Sequence, residues 1–429
     1  MKSALGFLVA AKRCEIHGLE QLEITSGLVK GVSELVHMLQ KERGVSNVYL
    51  ASAGRRFAAQ RLERVEASVA AEAAARERFV QLDTDSGRMA GGVRLFSRIA
   101  YVLHGLDALP ALRSRVAGRT LGVEEATRSF TELIAGLMAV VFEAADIAAD
   151  PAVSRALVAL FNFMQGKELA GQERAAGAAG FAAGRFEATE QQRLAHLIDA
   201  QDRCFQIFVE FADPTLRTIW RNAQTSPAIA EVERMRRIAC AASSAPVAAE
   251  ASERWFECTT SRIDAMRQVE DCATNALLHL CEAKLLEARS DLHDHKRFLD
   301  ALSALGGQSA APLAVFFDKS ATSAPPAEGD AAGLVEADGL SPKLGRSVLD
   351  LMQLQSQRLQ DMSDELNTAR AALNERKLVE RAKGLLMSRR GLSEDEAYKL
   401  LRQTAMDQHR RLVDVAEATL SLAEFLKPD

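Results

Sequence analysis

From Leu19 to Leu302 apolar residues return at three- and four-residue intervals, and almost no run of Val, Ile and Thr alternates with period two. Side chains three and four apart share one face of a helix, whereas a half-buried strand needs strict alternation, so the chain is read as all-α. Ala, Leu, Arg and Glu dominate, and aromatic residues make up only 5%. Ala, Leu, Arg and Glu lose little side-chain freedom in a helix, so propensity and periodicity agree. The 48% hydrophobic content is enough to build cores, and 429 residues leave room for two or three domains. Loop signals fall at Ser86 to Gly92, at Asp150-Pro151 and at Asp213-Pro214. One large helical bundle, or two stacked bundles, would bury the apolar faces between them.

The longest apolar run, Leu133 to Phe142, is about half of the roughly 20 residues that a membrane span requires. Ala4 to Ala11 is short and is followed by Lys12 and Arg13 rather than by a cleavage motif, so a cytoplasmic protein without membrane contact is expected. The six cysteines form no CxxC pair, and no His stands at a zinc-like spacing from them. Buried free thiols are expected, with no metal and no cofactor. A net charge of -5 leaves the partner open, because an acidic domain can coexist with a locally basic face.

Composition changes over Gly306 to Pro342, where Gly, Ser, Ala and Pro312, Pro325, Pro326 and Pro342 collect into a linker. Beyond it Val348, Met352, Gln355, Leu359, Met362, Leu366, Ala369 and Leu373 recur at spacings of four and three, the seam of a coiled coil. Such a seam suits a homodimer, and a helix packed on the preceding domain would give the same spacing. From Glu375 to Leu426 three short helical blocks are punctuated by Gly391 and by Asp407-Gln408-His409, with Ser393 and Glu396 spaced as a capping box. The expected division is therefore 1–305 as a large helical domain, 306–342 as linker, 343–373 as a coiled-coil helix and 374–429 as a three-helix module.

Within that module the run Glu380-Arg381-Ala382-Lys383-Gly384-Leu385-Leu386-Met387, then Ser393 to Tyr398, Leu400 to Met406 and Val415-Ala416 resemble the ANTAR family over essentially the whole block. By chemistry alone the first run is an ordinary helix with a core face of Ala382, Leu385 and Leu386. Residues 374–429 carry eleven Lys or Arg against ten Asp or Glu, so the module is not basic overall. Its cations cluster, however, and affinity for nucleic acid follows local neutralisation of phosphates. Only Tyr398 is aromatic near this face, which favours recognition by shape and backbone over a stacking platform. The resemblance implies binding of leader RNA hairpins in transcription antitermination. On that basis Lys383, Arg390, Arg402 and Arg410 are the expected phosphate contacts; Met387, Ala405 and Met406 stand near loop bases or in the core.

Two segments of the large domain combine charge with apolar helix pattern: Lys41-Glu42-Arg43-Gly44-Val45-Ser46-Asn47, and Gln165 to Ala175. A third is Met235-Arg236-Arg237-Ile238-Ala239-Cys240. An Arg pressed between apolar residues is costly unless a carboxylate or an anionic ligand neutralises it. Glu42, Glu168 and Glu173 are available for structural salt bridges. These segments resemble the NIT domain, a helical nitrate- and nitrite-sensing module, over most of residues 20–300. The resemblance implies a clamp of arginines from different helices on the anion, falling on Arg43 and Arg236 with Arg174 as a third. A planar oxyanion matches the guanidinium fork as a carboxylate does.

Together the two resemblances imply a nitrate- or nitrite-responsive antitermination regulator that binds leader RNA hairpins when its sensor holds the anion. An enzyme is disfavoured, since none of the eight histidines joins a triad, phosphate loop or metal motif. The alternative is an anion-responsive helical DNA-binding regulator, which lacks a recognisable recognition helix. Control by a phosphorylated receiver domain lacks the alternating strands and helices it would need.

Overall fold

The computed structural model describes residues 4–82, 92–241, 251–305, 342–392, 394–408 and 410–425. Among the described residues the chain is all-α, in twelve helices with no strand. These are α1 Ala4–Ala51, α2 Ala58–Val80, α3 Gly92–Ala117, α4 Val123–Ile147, α5 Pro151–Ala183 and α6 Ala188–Phe211. There follow α7 Pro214–Ala223, α8 Pro227–Cys240, α9 Ala251–Leu305, α10 Pro342–Arg390, α11 Glu394–Asp407 and α12 Leu412–Phe425. The linker expected over Gly306 to Pro342 lies outside the described residues apart from Pro342, which opens α10. Ser393 of the expected capping box lies outside them as well, as does Ser86 to Met89 with the next two residues of that loop signal.

Both Asp-Pro signals become helix starts. Asp150 caps α5 by accepting the Val153 amide at 3.0 Å, and Asp213 caps α7 by accepting those of Thr215 and Leu216 at 2.8 and 3.1 Å. In each, proline follows at the first helical position, where its missing N–H costs nothing. Gly391 ends α10 in the left-handed region, with φ 65°, which an L side chain would occupy only under strain. The coiled-coil stretch and the first block of the C-terminal module form one unbroken helix, α10.

The chain gathers into two compact units. The first draws on residues 1–20 and 282–365; there Lys12 bridges Glu15 at 2.9 Å and Asp291 at 3.0 Å, and Arg289 meets Glu20 at 2.8 Å. The second draws on residues 21–281 and 366–429 and contains the large core. Leu28, Val32, Leu35 and Leu39 of α1, Val102 and Leu106 of α3, Ile134 and Val141 of α4, and Leu157 and Phe163 of α5 are fully buried. Each such side chain contributes about 1.5–3 kcal/mol relative to exposure.

Three glycines let aromatic rings lie directly on α5. A Cβ on Gly166 would stand 2.6 Å from the Phe205 ring of α6, one on Gly177 2.4 Å from the Trp255 ring of α9, and one on Gly180 2.1 Å from Phe186. α5 is thus the axis on which α6, α8 and α9 close, with Phe181, Val232, Met235 and Trp255 packed together. The C-terminal module has its own core of Val379, Ala382, Tyr398, Leu401, Ala405, Val415 and Ala416. Ala405 is therefore a core residue, whereas Met387 and Met406 are exposed.

Candidate anion site and RNA-binding module

The middle of α5 carries Lys167, Glu168, Glu173 and Arg174; the first three pair with charges on other helices, Glu270, Arg43 and Arg236 respectively. Arg43 of α1 grips Glu168 with both terminal nitrogens, at 2.6 and 3.0 Å, and also donates to Thr131 Oγ1 at 2.8 Å. Gln40 and Gln172 donate to the same carboxylate at 2.8 and 3.0 Å.

Arg174 stands beside this pair. Its Nη1 donates to Thr260 Oγ1 of α9 at 3.0 Å and its guanidinium lies 5.2 Å over the Phe256 ring. The two arginines occupy reciprocal gaps: a Cβ on Gly44 would meet Arg174 at 3.3 Å, and one on Gly171 would meet Arg43 at 3.2 Å. Among the described residues no carboxylate lies within ion-pair distance of Arg174. Burial and the neighbouring Arg43 charge pull its pKa down to about 10, against the opposing pull of Asp264 and Glu168. Thr260 and Phe256 line a groove of about 550 Å³ on α9 with Asp264 and Gln268.

Arg236 belongs to a second cluster, one turn along α5. It holds Glu173 through Nε and Nη2, both at 2.7 Å, reaches Glu233 at 2.7 Å and donates to Gln201 Oε1 of α6 at 3.2 Å. Gln201 in turn donates to Glu173 at 2.7 Å, and Arg262 of α9 approaches the same carboxylate at 3.3 Å. Burial would lower the Arg236 pKa, but the Glu173 bonds outweigh it and hold the pKa above the usual value. Arg262 is drawn down to about 10 by burial and then by Arg236. Of the three arginines singled out in the sequence, the structure brings Arg43 and Arg174 together and sets Arg236 with Arg262 around Glu173.

Sequence reasoning missed Arg262, though a signal existed: it falls at the helical register of Trp255, Cys258, Met266 and Val269, all buried on α9. The carboxylates available for salt bridges are all used so, Glu42 by Arg113 at 2.9 and 3.0 Å, Glu168 by Arg43 and Glu173 by Arg236.

His37 lies in the same core on α1. Burial, then the charges of Lys167, Arg267, Lys41 and Arg64, lower its pKa from 6.5 to about 2. The unfolded chain therefore binds a proton below pH 6.5 that the folded chain refuses until about pH 2, so stability falls with pH throughout that window. Acidification from pH 6.5 to 5 is expected to remove about 2 kcal/mol through this residue alone. Urea titrations across that range check it: His37→Phe should flatten the slope, and an equal slope in both proteins would contradict the assignment.

In the C-terminal module, α11 lies against α6. Arg402 pairs with Asp199 at 2.8 Å, Lys399 donates to Gln192 at 3.3 Å, and the Tyr398 ring meets His196 edge-on at 4.8 Å with Arg203 5.1 Å over its face. Lys383 pairs with Glu380 at 3.0 Å on its own helix. Arg390 and Arg410 are exposed.

Residues 34–278 match the family described as nitrate and nitrite sensing (NIT), and residues 367–420 match the ANTAR domain. The chain is 36% identical over 412 residues to the nitrate regulatory protein of Klebsiella oxytoca, covering 96% of this chain and 93% of that one. It is 28% identical over 148 residues to the transcriptional regulatory protein PdtaR of Mycobacterium tuberculosis, covering 34% of this chain and 70% of that one. The solved structure of the NasR transcription antiterminator superposes with a TM-score of 0.61 at 32% identity over 98% of each chain. These are regulatory families, and no described helix is long and apolar enough to cross a membrane. A NIT domain and an ANTAR module that lies against its α6 stand in one chain, which belongs to the nitrate-responsive NIT–ANTAR transcription antiterminators.

Proposed function

We propose that nitrate or nitrite binds among the buried arginines gathered around α5, with Arg43, Arg174 and Arg236 as ligands, and that the ANTAR module then binds leader RNA hairpins. The observation that carries this reading is charge: Arg43 is paired with Glu168, Arg236 and Arg262 share Glu173, and Arg174, beside Arg43, has no carboxylate within ion-pair distance among the described residues. A monoanion entering beside Arg174 neutralises a guanidinium that lacks a carboxylate and offers oxygens in the plane of the fork. Lys383, Arg390, Arg402 and Arg410 are the proposed phosphate contacts, which position the module on RNA without reading its sequence. The pairing of Arg402 with Asp199 supports a resting state in which the module is held, and an anion can shift that balance only by binding the released arrangement better.

The same reading assigns 1–305 to sensing, 306–342 to a linker, 343–373 to a coiled coil that joins two copies in the cytoplasm, and 374–429 to RNA. Calorimetric titration of the full chain with nitrate, nitrite, chloride and sulfate tests the sensor. Nitrate or nitrite binding with chloride and sulfate silent is the expected result; equal heats for all four would overturn it.

A further inference from the structure

We propose that the RNA surface of the ANTAR module is the very face that α6 covers, with Tyr398 stacking on a base and Arg376 joining Arg402 and Lys383 on phosphates. This rests on the RNA-binding reading above and names the surface that performs it.

Arg376, Lys383 and Arg390 stand seven residues apart on α10, which puts them on one side of the helix about two turns from one another. Tyr398 and Arg402 are one turn apart on α11, and Lys383 Nζ lies 6.0 Å from the Tyr398 ring, so the two helices present one continuous strip of cations with an aromatic ring in it. Such a strip suits a single-stranded loop, whose unstacked bases need a ring and whose backbone needs local positive charge.

What covers the strip is chemically close to a nucleotide. His196 offers Tyr398 a planar nitrogen heterocycle, as a base would, and Asp199 offers Arg402 an anionic oxygen at 2.8 Å, as a phosphate would. Gln192, His196, Asp199 and Arg203 lie along one face of α6, at spacings of four, three and four.

Arg376 is held differently. It donates to Asn162 Oδ1 at 3.3 Å and to Cys204 Sγ at 3.8 Å, and lies 5.0 Å over the Phe161 ring. All three are neutral, and no carboxylate among the described residues pairs with it. A half-buried guanidinium with only neutral partners forgoes the stronger charge-assisted bonds that a phosphate supplies. The docked state therefore leaves Arg376 with a reason to exchange the sensor for RNA.

The test uses the full chain, saturated with nitrate, and a synthetic RNA stem-loop carrying 2-aminopurine in its loop. Arg376→Gln is expected to weaken binding ten-fold or more and to flatten the salt dependence by about one charge. Tyr398→Leu is expected to abolish quenching of the 2-aminopurine, with Tyr398→Phe restoring it. Affinity and quenching unchanged in both Arg376→Gln and Tyr398→Leu would overturn the surface.

Since Tyr398 also packs in the module's core, Asp199→Asn gives an independent arm that leaves the module untouched. It should raise anion-free RNA affinity ten-fold or more and leave the nitrate-saturated affinity as it was; an unchanged anion-free affinity refutes competition for this face. A parent chain that binds the stem-loop equally with and without nitrate contradicts the anion response instead, while the Arg376 and Tyr398 variants still decide the surface. Preference for a DNA duplex of the same sequence overturns both.

Discussion

Replacing Arg43 by Ala, and separately Arg236 by Ala, is expected to lower nitrate affinity ten-fold or more. Each guanidinium loses charge-assisted hydrogen bonds worth about 1.5–3 kcal/mol apiece, and about 1.4 kcal/mol is a factor of ten in affinity. The structure adds a consequence that the sequence pattern did not carry. Arg43 and Arg236 already hold Glu168 and Glu173 in buried, two-pronged pairs, so deleting either leaves a carboxylate uncompensated at a cost of about 3–5 kcal/mol. A loss of binding could then reflect a loss of fold. Arg43→Ala with Glu168→Gln separates the two, because the amide needs no counter-charge and its one oxygen can still accept from Gln40 or Gln172. Denaturant titration should find the double variant more stable than Arg43→Ala, while calorimetry should find nitrate binding still lost. Parent-like nitrate titrations for both Arg43→Ala and Arg236→Ala would sink the site.

What could be read from the chain was whatever rests on local chemistry. Asp150-Pro151 and Asp213-Pro214 were legible as loops between helices, and the structure makes each a helix start, because a carboxylate cap and a proline at the first position act within one turn. Gly391 announced a helix end for an equally local reason, its left-handed backbone. Arg43 and Arg236 stood out because charge interrupted an apolar register, and their carboxylates could be named because the candidates were few. Pairings across long stretches of chain were not legible. Nothing near Arg262 says that it will share Glu173, 89 residues away, with Arg236, and nothing in the Leu400 to Met406 run says that Arg402 will meet Asp199. Periodicity fixes which face of a helix is apolar but not which other helix covers it, and for α6, whose two faces serve Glu173 and the ANTAR module, both partners depend on tertiary packing.

An equally large loss of stability is expected at a pair that the sequence did not mark as one. Lys167 of α5 and Glu270 of α9 form a salt bridge with both side chains wholly out of solvent, and Ser33 of α1 donates to the same carboxylate at 2.5 Å. Burial drives the Lys167 pKa down, and the Glu270 charge is the main force opposing it. Removing one partner strands the other, so Glu270→Ala is expected to cost about 3–5 kcal/mol, a large share of the roughly 5–15 kcal/mol that holds a typical domain together. Replacing both at once should behave differently. In Lys167→Met with Glu270→Leu no charge is left unpaired, the apolar side chains keep much of the volume, and Arg267 retains Glu34 and Asp271. Such exchanges of a buried ion pair for packed apolar residues are often neutral or stabilising. Urea unfolding of the single and double variants measures the difference. A loss below about 1 kcal/mol for Glu270→Ala would mean that water or a shifted neighbour reaches Lys167. Nitrate titration of the double variant then separates stability from sensing, because Lys167 adjoins Glu168 on α5: if the pair serves only the α1, α5 and α9 packing, affinity for the anion stays within two-fold of the parent chain.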